Sequence, residues 1–180
     1  MLTAQQKRKE NIVEYILYLY QIEDLIRAFQ FNISAIEANL ISQYQTEEKI
    51  KKEITEWYKN LVVMMEKERI QEKGHLQFLT NLINDINELH LKLMESGVDN
   101  VYISEFQAIS GLITELSMKG NSAKNDVQTS LDAVYGFLLL KMQKKEITEE
   151  TTEAIKRLSS WLATLSGLFK DFESGDLDFE

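Results

Sequence analysis

Apolar residues recur along this chain at spacings of three and four, and no segment alternates with period two. The elements this predicts are helices. Two segments go further: IVEYILYLYQI at 12–22 and VYGFLLLKM at 134–142 are apolar on every side of a helix. A helix of that kind is buried in the middle of a bundle or against a second subunit.

Capping patterns and stripes divide the chain. Thr3-Ala-Gln-Gln6 reads as a capping box that opens a helix from about Ala4 to Phe29. Ser34-Ala-Ile-Glu37 opens a short helix to about Tyr44. Thr46 starts a third, with a stripe of Ile50, Ile54, Trp57, Tyr58, Leu61 and Met65, ending before Gly74. The fourth carries Leu76, Leu79, Ile83, Ile86, His90 and Leu93. Ser104-Glu-Phe-Gln107 is a box for the fifth, whose stripe is Tyr102, Phe106, Ile109, Ile113 and Leu116. The sixth is expected from about Ser122 to Lys145. Thr148 caps the seventh, striped by Ile155, Leu158, Leu162, Leu165, Phe169 and Phe172. Gly74, Gly97, Gly120 and Gly175 fall where the periodicity lapses, as expected just past helix C-termini.

The expected fold is therefore all-α: a single-domain antiparallel bundle of about six or seven helices over 1–172, then an acidic tail over 173–180. Leu177 and Phe179 in that tail either fray or dock into a groove of the same or a neighbouring molecule. On the sixth helix, Ala133, Gly136 and Leu140 form a second apolar face with small residues, suited to internal packing or to a subunit interface. Gly111 and Gly167 lie away from the stripes of their helices, where each costs about 1 kcal/mol relative to alanine.

Composition narrows the function. There is no cysteine and no proline in 180 residues; an average chain of this length would carry about nine prolines. Unbroken helices and short connections suit that absence. No disulfide framework or thiolate metal site is expected, and a reducing cytoplasm fits. The net charge is −9. The basic clusters Lys7-Arg8-Lys9, Lys49/Lys51/Lys52 and Lys141/Lys144/Lys145 are small and lie beside acidic residues, so no nucleic-acid partner is expected. Glu14 and Gln21 interrupt the first apolar run and Glu23 and Asp24 follow it, which argues against a signal peptide and against a membrane span.

The sharpest polar feature is the pair Glu23 and Arg27. Helical geometry puts both on the buried side of the first helix at i,i+4, within reach of each other. A charge there is costly unless paired. The pair is either a structural ion pair or the polar floor of a pocket, which Gln5 and Arg8 would extend. His90 occupies a core position of the fourth helix, and His75 follows Gly74. The two histidines are too far apart on one helix to share a metal. Glu72-Lys-Gly-His75 supplies one Glu-x-x-His where a di-metal bundle needs two, so no metal and no cofactor is expected. No G-x-S-x-G, phosphate-binding or dinucleotide-binding glycine motif occurs. The leading expectation is a non-enzymatic cytoplasmic adaptor that forms a homodimer. The alternative is a small-ligand-binding or sensory bundle with Glu23, Arg27 and His90 around an internal pocket. An enzyme of unfamiliar type comes third.

Several stretches also carry a resemblance: Gln5–Glu14 (QQKRKENIVE), Gln21–Ala28 (QIEDLIRA), Gly74–Gln77 (GHLQ), Glu88–Leu91 (ELHL) and Tyr135–Ile155, which includes YGFLLLKMQKKEITEET. Together they resemble a family of Bacteroidetes proteins known as domain of unknown function 4924. The resemblance covers essentially the whole chain and implies an intracellular, all-helical, single-domain protein. It supplies no activity, cofactor or catalytic residue.

Overall fold

The computed structural model describes residues 2–119 and 124–179. Among them are eight α-helices and no strand: α1 (Leu2–Glu10), α2 (Ile12–Ala28), α3 (Ile33–Asn39), α4 (Glu48–Lys67), α5 (Gln77–Ser96), α6 (Asn100–Lys119), α7 (Asp126–Met142) and α8 (Glu149–Ser174). A 3-10 turn, Ile41–Gln43, joins α3 to α4. The all-helical class is as expected; the helix count is not.

The extra helix comes from a break at Asn11. Its backbone is extended, and its side-chain oxygen accepts the Glu14 N–H, so it caps α2. Asparagine does better as a cap than in a helix interior. The break is pinned from α8: Ser166 Oγ donates to Asn11 Oδ1 and accepts the Ile12 N–H. Arg8 then clamps α1 to α8 through two bonds to Glu173, of 2.8 and 2.6 Å.

Other caps differ from the expected ones for the same reason. Asn32, not Ser34, caps α3. Asp99, not Ser104, accepts the Val101 and Tyr102 N–H groups at the start of α6. Asn125 caps α7, and Thr148 caps α8 as expected. Gly97 and Gly175 close α5 and α8 in the left-handed conformation. Gly74 does not close α4. That helix ends at Lys67, and Arg69 takes the left-handed position. The expected boundaries at Gly120 and Ser122 lie outside the described residues.

One cluster of buried apolar side chains draws on α2 and on α4 to α8, with Ile36 and Ile41 added from the α3 region. It includes Leu76, Leu79, Ile83, Ile86 and Leu93 of the stripe expected on α5, and His90 of the same stripe is buried beside it. α2 packs on α7 and α8, while α5 contacts α6, α7 and α8. After Gly175 the chain turns back on α8: Leu177 N–H donates to Asp171, and Leu177 and Phe179 lie partly buried against the core. No described helix is long and apolar enough to cross a membrane.

Candidate functional site

Glu23 is buried on α2, 1% exposed, as its helical position requires. Its partner is not Arg27. Glu23 Oε2 sits 2.6 Å from His75 Nδ1, and Oε1 accepts the Leu76 N–H at 2.8 Å. The carboxylate thus caps the entry to α5 from outside that helix. His75 stacks on Tyr20, with ring centroids 3.6 Å apart and planes 14° from parallel.

Arg27 turns the other way. It pairs with Asp24 at 2.9 Å, one turn earlier on α2. It also donates to the carbonyls of Ile70 and Gly74, in the connection between α4 and α5. A guanidinium has five donors in a fixed fork, which suits it to holding a loop by its carbonyls. The expected Glu23–Arg27 ion pair therefore does not form; each charge is spent on the 68–76 connection instead.

α7 completes the arrangement. Tyr135 donates to Asp24 Oδ2 at 2.6 Å, and Gln128 donates to Tyr20 Oη at 2.9 Å and to Asp132 at 2.7 Å. Burial raises both phenols above their ordinary range, reinforced by Asp132 and Glu23 at Tyr20 and by Asp24 at Tyr135. Both hydroxyls stay protonated near neutral pH. The Glu23–His75 pair has the form of an orienting carboxylate behind an imidazole. Among the described residues no serine or threonine hydroxyl bonds His75, and Tyr20 covers one ring face. The arrangement fixes two helices and a loop.

His90 belongs to a different neighbourhood. It lies roughly 20 Å further along α5 than Leu76, at 1.5 Å per residue. Its Nδ1 is 2.6 Å from the Tyr102 hydroxyl, and its Nε2 is 3.7 Å from Asp126. Phe106 and Trp161 pack on its ring with centroids at 4.4 and 5.3 Å. Burial lowers its pKa, and Asp126 opposes that shift only in part. A neutral imidazole accepting the Tyr102 O–H is the species this environment favours. Glu23, Arg27 and His90 are thus not brought together around one cavity. An open groove of about 500 Å³ lies elsewhere, lined by Gln5, Tyr18, Tyr44, Ile50, Glu53 and Ile54 among others. Arg8, expected beside Gln5, is taken by Glu173.

Sequence reasoning missed His75, Asp24, Tyr20 and Tyr135 as partners. Asp24 was accessible, since it sits at i−3 from Arg27. His75 lies 52 residues from Glu23, and no local pattern points to that contact. Among the described residues no three His, Asp or Glu side chains converge as metal ligands.

No curated protein and no solved structure matches the chain. A family model does, over residues 1–176, and the chain accordingly belongs to the family described as Domain of unknown function (DUF4924).

Proposed function

We propose that this chain is a non-enzymatic, cytoplasmic adaptor of helical type that pairs with a second copy of itself and then takes a protein partner. The observation that carries the reading is the state of α7. Its sequence is apolar all round, yet the C-terminal half of one side is only partly covered. Val127, Leu131, Val134, Tyr135 and Phe137 are buried, whereas Ala133 and Gly136 are half-buried and Leu140 is 40% exposed. A Cβ built on Gly136 would meet nothing within 4 Å. Ala133, Gly136 and Leu140 follow one another at helical spacing on that open side, and Leu116 of α6 adjoins Ala133 across a shared cleft. Small residues admit a second backbone, and the same stripe from two copies is self-complementary across a twofold axis.

Two further observations support the reading. The charges of Glu23 and Arg27 are taken up by backbone groups and neighbours, which suits a structural part better than a reactive one. The single hydrophobic cluster suits one domain built as a bundle of antiparallel neighbours. A chain of net charge −9 is a poor match for nucleic acid. The small-ligand alternative at Glu23, Arg27 and His90 loses support from the distance between them.

Light scattering on the untagged protein at tens of micromolar tests this. A species of twice the 20.9 kDa chain mass is expected, falling to the chain mass in Gly136→Glu with helicity unchanged. A wild-type species at the chain mass throughout would overturn the reading.

A further inference from the structure

Residues 176–179 hold to the body by more than a helix cap. Gly175 takes the left-handed conformation, and its N–H donates to the Phe172 carbonyl at 3.2 Å. The Asp176 and Leu177 N–H groups donate to the Asp171 carbonyl at 2.8 and 3.2 Å. Bonds of this kind close a helix and set the reversal of the chain as far as Leu177. They do not account for Phe179. Its N–H is spent on its own neighbour, Asp178 Oδ1 at 2.7 Å, and among the described residues no backbone bond ties it to a helix. What holds it is its ring, edge-on to Phe172 with centroids 6.1 Å apart.

Phe172 marks the seam where α8 meets α5. The Lys92 ammonium on α5 stands 5.7 Å from its ring centroid, and among the described residues no carboxylate pairs with that ammonium. Phe172 remains 39% exposed with Phe179 on it, and Leu177 and Phe179 are themselves half-buried. The seated strap therefore shows the chemistry this seam accepts. It offers two apolar side chains two residues apart, the second aromatic, interleaved with the carboxylates of Asp176 and Asp178. Extended backbone puts two such side chains on one side. A strap held by two half-buried side chains opens at far lower free energy than the helices beneath it, so a segment of the same chemistry can take its place.

We infer that the α5–α8 seam is the docking site for a short acidic segment of a protein partner, with a leucine and a phenylalanine two residues apart, and that the chain's own tail occupies the site in competition with it. The seam rests on the reading above only in that a protein partner is taken. The open face of α7 plays no part, so a chain-mass species in light scattering would not decide the peptide titration.

Nuclear magnetic resonance on the full chain tests it. The peptide SGDLDFE, the sequence of residues 174–180, is titrated to about 5 mM into wild type and into the double variant Leu177→Ser, Phe179→Ser, whose tail cannot hold the seam. The expected result is saturable shifts of the Lys92 and Phe172 amide signals in the variant. Wild type should need at least about tenfold more peptide, because its own tail acts at an effective concentration in the millimolar range or above. The peptide SGDSDSE should move neither signal, and Lys92→Glu in the variant background should weaken binding about threefold or more. Circular dichroism verifies helicity; if the double variant loses it, Phe179→Ser, which lies beyond the helix cap, carries the same test. No shift in a folded variant, equal midpoints in wild type and variant, or equal shifts with SGDSDSE would overturn the inference. So would a midpoint that Lys92→Glu leaves unchanged, which would put the peptide elsewhere. Unlabelled wild-type protein reproducing the shifts at the peptide's concentration would overturn it as well, since the tail of a second copy would then be the occupant.

Discussion

Glu23 shows how far a single residue is legible. Its burial follows from its angle on α2, and its need for a partner follows from its charge. The partner's identity depends on how the 68–76 connection folds back, which no spacing within α2 encodes. The consequence is measurable. Glu23→Ala removes the acceptor for the Leu76 N–H and for His75 together, and in urea titrations should cost about 2–4 kcal/mol. Glu14→Ala, on the exposed side of the same helix, should cost about 0.5 kcal/mol or less. Equal losses would mean that Glu23 is solvated in solution. His90 supplies a pH signature. Its pKa is lowered in the folded state by burial, from an ordinary value of 6.5. Below about pH 6.5 the unfolded chain then binds the proton that the folded chain refuses, so stability falls as pH falls from there toward the lowered folded value. His90→Leu should remove that slope between about pH 7 and pH 5.5, above the range where carboxylates titrate. An unchanged slope in the variant would assign it to other groups.

At the scale of the element, the stripes of α4, α5, α6 and α8 could be read directly, because a 3.6-residue period is a local property of the chain. Helix ends were less legible. Ser34 and Ser104 fit a capping box, but Asn32 and Asp99 hold those caps; Thr3 lies inside α1, and Asn11 caps α2 within the stretch expected to be one helix. Asn11 ends a polar run, 5–11, directly before the apolar run from Ile12, but the break itself is pinned by Ser166, 155 residues away. Asn11→Ala should therefore cost about 1–2 kcal/mol, against about 0.5 kcal/mol or less for Ser34→Ala, in thermal or urea unfolding. Glycine was legible where it closes α5 and α8, but Arg69 and Lys144 adopt the same left-handed conformation without being glycine. Gly111 and Gly167 sit inside helices, and an added Cβ would meet nothing within 4 Å at either. Alanine at each should raise stability by about 1 kcal/mol. A loss at Gly111 or Gly167 would reveal a close neighbour at that position in solution.

At the scale of the whole molecule, the two segments that are apolar all round behave differently. α2 is covered by α7, α8 and the α4–α5 connection, while α7 keeps an open side. Sequence alone favoured internal packing over a subunit interface for Ala133, Gly136 and Leu140 and could not decide, since both require small and apolar residues. The stretches that carry the family resemblance contain Glu23, Asp24, Arg27, His75 and Tyr135, which the fold gathers into one network, although nothing in the sequence joins them. The chain has no cysteine, so single introduced thiols report contacts cleanly. The most direct test of the central claim is therefore cross-linking of Gly136→Cys at tens of micromolar with a short bis-maleimide, beside Glu66→Cys on the exposed side of α4. A covalent dimer from Gly136→Cys and none from Glu66→Cys is the result expected if two copies meet on the open face of α7. No dimer from Gly136→Cys, or an equal yield from Glu66→Cys, would contradict it.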